Sequence, residues 1–118
     1  MQVMMLYKPG QESDAPPSQQ EMADMGQLID DMTKAGVLIA TGGLQPSSKG
    51  VRVSKSGEKF TVTDGPFAET KELIAGFAIV EATSTEEAVE LAKRFLKVVG
   101  GGVSEIRPMH GATIHATV

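Results

Sequence analysis

The chain has 118 residues, of which 41% are hydrophobic and 22% charged, with a net charge of -4 and no cysteine. These values fit one globular domain with its own core, and the lack of cysteine excludes disulfides, thiolate catalysis and cysteine-based zinc sites. The acidic balance argues against direct nucleic-acid binding, and no apolar run approaches the about 20 residues of a membrane span. Residues 1–7 are too short for a signal peptide, so we expect a cytoplasmic protein.

The first third of the chain predicts a strand, a loop and a helix. The apolar residues 3–7 predict a short central strand, and residues 8–17 form a loop rich in Pro, Gly and Ser. Ser18 and Glu21 have the spacing of a capping box, which satisfies free N–H groups at a helix start. Gly36 predicts the end of this helix. Its apolar stripe consists of Met22, Met25, Ile29 and Met32.

The middle of the chain predicts a hairpin between two further strands. Residues 37–40 predict the second strand of the chain. Apolar and polar residues alternate in 51–54 and 59–62, and the Ser-Gly pair at 56–57 between them predicts a β-hairpin with one solvent-facing side. Residues 73–80 show no polar alternation, which is typical of a strand that is covered on both faces.

A second helix and a last strand complete the predicted elements. Residues 83–87 contain two overlapping capping boxes, and glycines 100–102 predict the end of the helix that follows. The apolar stripe of this helix consists of Ala88, Leu91, Ala92 and Phe95. Residues 104–109 predict the last strand.

The order β-α-β, hairpin, β-α-β predicts an α+β fold. We expect a ferredoxin-like split βαβ arrangement with an inserted hairpin and an antiparallel sheet that carries both helices on one face. Two helices cover only one side of such a sheet, whereas residues 73–80 require cover on both sides. A second subunit stacked on the open side would supply it, which predicts a homodimer built as a dimeric α/β barrel. Residues 1–109 form the single domain and 110–118 a tail.

The segment Asp64-Gly65-Pro66-Phe67 is the main candidate site. It has the residue types of a tight turn, because Asp bonds to nearby backbone N–H groups, Gly permits positive φ and Pro fixes φ. Alternatively, Asp64 is a carboxylate at a strand end that faces a cleft, as a general base or a ligand acceptor. The residue types alone favour the turn.

Other candidate residues flank this segment. Glu69, Lys71 and Glu72 place a cation between two acids, which is usually solvated surface charge; in a pocket, Lys71 would hold an anion and Glu69 would transfer a proton. Gly43 could bring backbone N–H groups close to a ligand, but no phosphate-loop pattern surrounds it, and a tight exit from a strand is the favoured interpretation. Tyr7 is either a hydroxyl in a cleft or an amphipathic residue at its rim.

The two histidines, His110 and His115, lie five residues apart in the tail. On a strand this spacing places them on opposite faces, and no third ligand type lies near them in sequence. We therefore predict no metal site and no cofactor.

Several motifs resemble one family. The segment 63–72 with its Asp-Gly-Pro-Phe letters, Gly-Gly-Leu-x-Pro at 42–46, Gly-Phe at 76–77 ahead of a Thr-Glu-Glu-Ala helix, and Glu-Ile-Arg-Pro at 105–108 are similar to the DGPF branch of the YCII-related proteins. The resemblance extends from the first strand to Pro108. It implies a ferredoxin-like single domain that assembles as a dimeric α/β barrel.

The resemblance implies two kinds of function. YCII-related proteins are suspected enzymes because a His and an Asp line a cleft, and their superfamily includes lactone isomerases and dehalogenases. Here no histidine precedes His110, so only Asp64 carries over. DGPF proteins also occur fused to, or encoded beside, sigma-factor-like transcription proteins, which implies regulation.

We therefore expect a small-molecule-binding accessory or regulatory domain, possible partners being its own second copy and a sigma-factor-type protein. The alternative is a cofactor-independent enzyme with Asp64 as catalytic acid/base. The predicted ligand-binding residues are Tyr7, Gly43, Asp64, Gly65, Pro66, Phe67, Glu69 and Lys71.

Overall fold

The computed structural model describes residues 1–13, 15–67 and 73–110. These residues form six strands, two α-helices and one short 3-10 helix at Ser47–Lys49. The longer elements are β1 (Gln2–Lys8), α1 (Gln19–Lys34), β2 (Leu38–Gly43), β3 (Val51–Ser56), β4 (Lys59–Asp64), β5 (Gly76–Glu81), α2 (Thr85–Val99) and β6 (Val103–Pro108). Neither α-helix is long and apolar enough to cross a bilayer.

Four strands form the main sheet, in the order β2-β5-β1-β6. All three neighbouring pairs are antiparallel, and β3 and β4 form a separate two-stranded sheet. Each outer strand of the main sheet is reached through a helix, and both helices contribute to a single core. The predicted ferredoxin-like α+β fold and the inserted hairpin are therefore confirmed.

The core lies between the helices and one face of the sheet. Its sheet side is formed by Val3 and Val80, which are fully buried, and by Met5. The helices contribute Leu28, Met32, Ala88 and Ala92. Because strand side chains alternate between faces, Met4 and Leu6 of β1 and Phe77 and Ile79 of β5 point to the opposite side, where they are only half-buried.

Both helices begin as the sequence predicts. The Ser18 hydroxyl accepts a hydrogen bond from the backbone N–H of Glu21 at 3.0 Å, and the Ser84 hydroxyl accepts one from the N–H of Glu87 at 3.1 Å. These bonds satisfy donors that a helix start leaves free. Gly36, with φ of 72°, follows the C-cap residue Ala35 of α1 and has the left-handed conformation that a non-glycine residue adopts at a cost.

The predicted apolar stripe of α1 is wrong at its first member. Met22 is 59% exposed, whereas Leu28, which the predicted stripe omits, is 2% exposed. The buried positions Leu28 and Met32 lie in the second half of the helix. Met22 belongs to the first turns, ahead of the part of the helix that covers the sheet.

The predicted strand at 73–80 begins later, at Gly76. Ala75 instead joins the ends of two strands, since its N–H donates to the carbonyl of Tyr7 and its carbonyl accepts from the N–H of Leu44, both at 2.8 Å. Ile74 is 38% exposed. Residues 73–75 therefore lead into the sheet, and the argument for cover on both faces rests on Phe77 and Ile79.

Candidate functional site

A cavity of about 360 Å³ lies between the sheet and the two helices. Met5 and Ala78 line it from the sheet, and Met25, Leu28 and Phe95 from the helices. Its lining is predominantly apolar. The volume falls in the range of about 300–1,000 Å³ that small-molecule sites occupy.

Tyr7 separates this cavity from a second one. The second cavity, of about 430 Å³, lies under the loop that includes Pro9 and Pro17, and Tyr7 lines both cavities. The Tyr7 hydroxyl donates a hydrogen bond to the carbonyl of Gly101 at 3.0 Å. Its ring meets the Phe95 ring edge-on, with the centroids 5.0 Å apart.

The surroundings of Tyr7 disfavour its ionised form. Burial raises the pKa of the Tyr7 phenol above its usual value, and the negative charge of Glu21 raises the pKa further. Gly102 gives this ring its space, because a Cβ atom there would lie 2.8 Å from Tyr7 Cε1. Tyr7 is therefore a neutral hydrogen-bonding group at the boundary of the two cavities.

Gly65 packs against the backbone of the 3-10 helix. A Cβ atom at position 65 would lie 1.7 Å from the carbonyl oxygen of Ser47, so only glycine fits there. The Gly65 N–H donates to the carbonyl of Gly50 at 3.0 Å, and the peptide bond to Pro66 is cis. This part of the segment is a close-packed turn.

Phe67 anchors the end of the same turn. It is 8% exposed, its N–H donates to the Ser47 hydroxyl at 3.0 Å, and the guanidinium carbon of Arg52 lies 3.9 Å from the ring centroid, in cation–π geometry. Ser47 in turn donates from its hydroxyl and its N–H to the Glu12 carboxylate, at 2.8 and 2.7 Å. These contacts tie the hairpin to the 3-10 helix and to the loop after β1.

The predicted site residues fall into separate places. Tyr7 and Gly43 line the sheet–helix cavity, whereas Asp64 is exposed at the end of β4, paired with Val51. Among the described residues, no hydrogen-bond or ion-pair partner is found for the Asp64 side chain, and Asp64 lines neither cavity. Gly65, Pro66 and Phe67 form the anchor described above.

The remaining candidates are charged residues and histidines. Glu69, Lys71 and His115 lie outside the described residues. His110 is exposed. In the described part of the chain, no three His, Cys, Asp or Glu side chains converge as a metal site would require.

Comparison with known proteins places this arrangement in a family. The model of the YCII-related domain matches residues 1–110, nearly the whole chain. The chain belongs to the YCII-related family. It is also similar to an uncharacterised protein of Rhizobium meliloti (strain 1021), with 32% identity over 89 residues that span 75% of this chain and 72% of that protein. The family recognised from the sequence is thereby confirmed.

Sequence reasoning missed most of the cavity of this YCII-related domain. Met25 and Phe95 were identified as core residues of helices, and helical spacing does not distinguish a filled core from one with a void. The unusual number of methionines, seven against one tyrosine, was the available signal. No pattern in the sequence indicated that Glu12 and Ser47 meet, 35 residues apart.

Proposed function

We propose that this YCII-related domain is a homodimer that binds an apolar small molecule in its sheet–helix cavity. The observation that carries the proposal is the cavity itself, with about 360 Å³ between elements that otherwise form the core. The cavity is partly open to solvent, so a guest can enter between the helices and the sheet. An apolar guest that covers this lining removes apolar surface from water, which is favourable in proportion to the area buried.

The lining suits a guest of variable shape. Met5, Met25 and Met32 line the cavity, and methionine side chains adapt to irregular partners because they are unbranched and polarisable. Tyr7 and Ser104 supply hydroxyl groups at one side of the lining. The ligand class is therefore apolar, with one hydrogen-bonding group placed near Tyr7.

The lining supports binding rather than acid–base catalysis at this cavity. Tyr7 is the one titratable side chain among the described lining residues. The alternative of a cofactor-independent enzyme that uses Asp64 requires that residue to reach a substrate, and Asp64 is solvated at the hairpin end. The enzyme alternative predicts that Asp64→Asn abolishes turnover of a lactone or a haloacid without changing the melting temperature.

The homodimer is supported by the sheet face opposite the helices. Met4, Leu6, Phe77 and Ile79 form an apolar patch there that the described residues cover only partly. Burial of such a patch against its own copy is favourable in proportion to the apolar area removed from water.

A regulatory role beside a sigma-factor-type protein is the further part of this proposal, supported by the resemblance to the DGPF branch. Co-elution of this protein with a purified sigma-factor-type protein on gel filtration tests the regulatory role.

Indole binding tests the cavity directly. The chain has no tryptophan, so no indole group of the protein interferes with the fluorescence anisotropy of added indole. Ala78→Phe places a ring in the cavity and should raise the Kd for indole by at least about tenfold, or ~1.4 kcal/mol. Ala23→Phe, at an exposed position of α1, adds the same ring outside and should leave the Kd unchanged.

Two outcomes would contradict the proposal. The first is a wild-type protein that binds no indole. The second is an Ala78→Phe variant that is folded by circular dichroism and binds indole as tightly as Ala23→Phe.

A further inference from the structure

The β3–β4 hairpin presents an apolar face to solvent. Paired residues of an antiparallel ladder share one face, and the register pairs Val53 with Val62 and Phe60 with Lys55. The apolar members of this face, Val51, Val53, Phe60 and Val62, are 60–66% exposed. The opposite face carries Ser54, Thr61 and other polar residues. The hairpin thus has the alternation of a strand pair with one buried side, yet the described part of the chain leaves that side exposed.

Within the described residues, this face lies outside the core. The hairpin forms its own two-stranded sheet, and its base is held by the packing of Gly65 on Ser47 and of Phe67 under Arg52. The contact of Gly65 with Ser47 joins the hairpin base to the 3-10 helix. An isolated two-stranded hairpin is marginally stable in water, so a covering surface is needed.

The area of the open sheet face favours a second copy of the chain as the cover. Four strands of six residues present about 19 by 20 Å, or roughly 400 Å². A standard interface buries about 800 Å² per partner. The hairpin face adds about 10 by 20 Å, roughly 200 Å², so a dimer that uses both faces comes closer to the area of a stable interface.

We propose that the apolar face of the hairpin packs against the second subunit, in the same two-fold dimer that covers the open sheet face. Each subunit then extends one hairpin onto its partner, and the contact occurs twice, as an isologous interface requires. This inference rests on the homodimer proposed above. The inference adds the β3–β4 hairpin, called the arm below, to the contact between the two main sheets.

Thiol reactivity tests the arm in the cysteine-free chain. Val53→Cys and Ser54→Cys place single thiols on neighbouring residues of opposite hairpin faces, both exposed in the subunit. We expect the modification rate at position 53 to fall by at least about tenfold as protein concentration drives dimer formation, measured in parallel by sedimentation velocity. The rate at position 54 should stay constant.

The outcomes separate the arm from the dimer. A dimer in which both thiols react equally would overturn the arm and leave the homodimer standing, whereas a monomer at every concentration would overturn both. Protection of position 53 that is already complete in the monomer would assign the cover to the chain itself and overturn the arm.

A second variant, Val53→Thr with Val62→Thr, keeps β-branched residues and should raise the dimer Kd about tenfold. An unchanged Kd would also contradict the arm.

Discussion

The α-carbon of Gly65 faces the carbonyl oxygen of Ser47 so closely that a Cβ atom would lie 1.7 Å from it. The same serine holds the next anchor through its side chain, since its hydroxyl accepts from the Phe67 N–H and donates to Glu12. One residue of the 3-10 helix therefore fixes both the glycine and the phenylalanine of the Asp-Gly-Pro-Phe segment. The segment acts as a joint between the hairpin and the domain.

Gly65→Ala should destabilise the fold strongly. The new methyl group meets backbone atoms that cannot move as a side chain can, and overpacking of this kind costs about 1–3 kcal/mol. Urea unfolding followed by circular dichroism measures the loss. Gly43→Ala is the matched control, because a Cβ atom there has no neighbour within 4 Å. A Gly65→Ala variant as stable as Gly43→Ala would contradict the close approach.

Ser47→Ala should cost about 1–3 kcal/mol of unfolding free energy, because it removes the hydroxyl that accepts from the Phe67 N–H and donates to one oxygen of the half-buried Glu12 carboxylate. The bond from the Ser47 backbone N–H to Glu12 remains. Ser48→Ala removes a hydroxyl from the exposed neighbouring residue and should have little effect. In the Glu12→Gln background the cost of Ser47→Ala should shrink, since contacting residues are energetically coupled. Additive effects in this double-mutant cycle would show that Glu12 and Ser47 act independently.

The fold was largely predictable from the sequence because its signals are local. Ser18 and Ser84 have the spacing of caps, and the hairpin strands alternate around the Ser-Gly turn, so each element is specified within a few residues. The start of β5 was not predictable, because residues 73–75 are as apolar as the strand they precede. Their position depends on Ala75 bonding two other strands.

The site was less predictable because it depends on long-range contacts. Asp64 and Tyr7 both appeared as polar residues at strand ends, and only the cavity linings separate them. The turn interpretation of Gly65 followed from residue type, whereas its partner Ser47 is 18 positions earlier in the chain. The seven methionines of the chain are compatible with an adaptable core, but composition does not locate a cavity.

The stability of the domain should depend on the ionisation of Glu105. The hydrogen bond from Lys8, at 2.8 Å, and that from Arg107, at 3.1 Å, lower the pKa of Glu105 below its ordinary value. A group with a lowered folded pKa stabilises the protein above its unfolded pKa, about 4.3, and this contribution is lost as the pH falls through the folded pKa. Wild type should therefore lose more stability than Glu105→Gln between neutral pH and pH values below about 4.3.

Urea midpoints of both proteins across this range give the comparison. Glu58→Gln, in the exposed hairpin turn, is the control and should follow the wild-type curve. If the urea midpoints of wild type and Glu105→Gln change with pH in parallel, Lys8 and Arg107 do not favour the ionised form of Glu105.

Tyr7 should titrate above the usual tyrosine value of about 10, because burial and the Glu21 carboxylate both raise its pKa. The chain has a single tyrosine and no tryptophan, so ultraviolet absorbance reports this phenol alone, with circular dichroism verifying that the fold persists. Urea should bring the midpoint down to about 10. Glu21→Gln should lower the titration midpoint of Tyr7 part of the way, and Glu58→Gln should not move the midpoint.

Saturating indole should raise the Tyr7 midpoint further, since a guest in the cavity removes solvent from the ring. A folded protein with a midpoint at or below about 10 would place the phenol in water and away from both cavities.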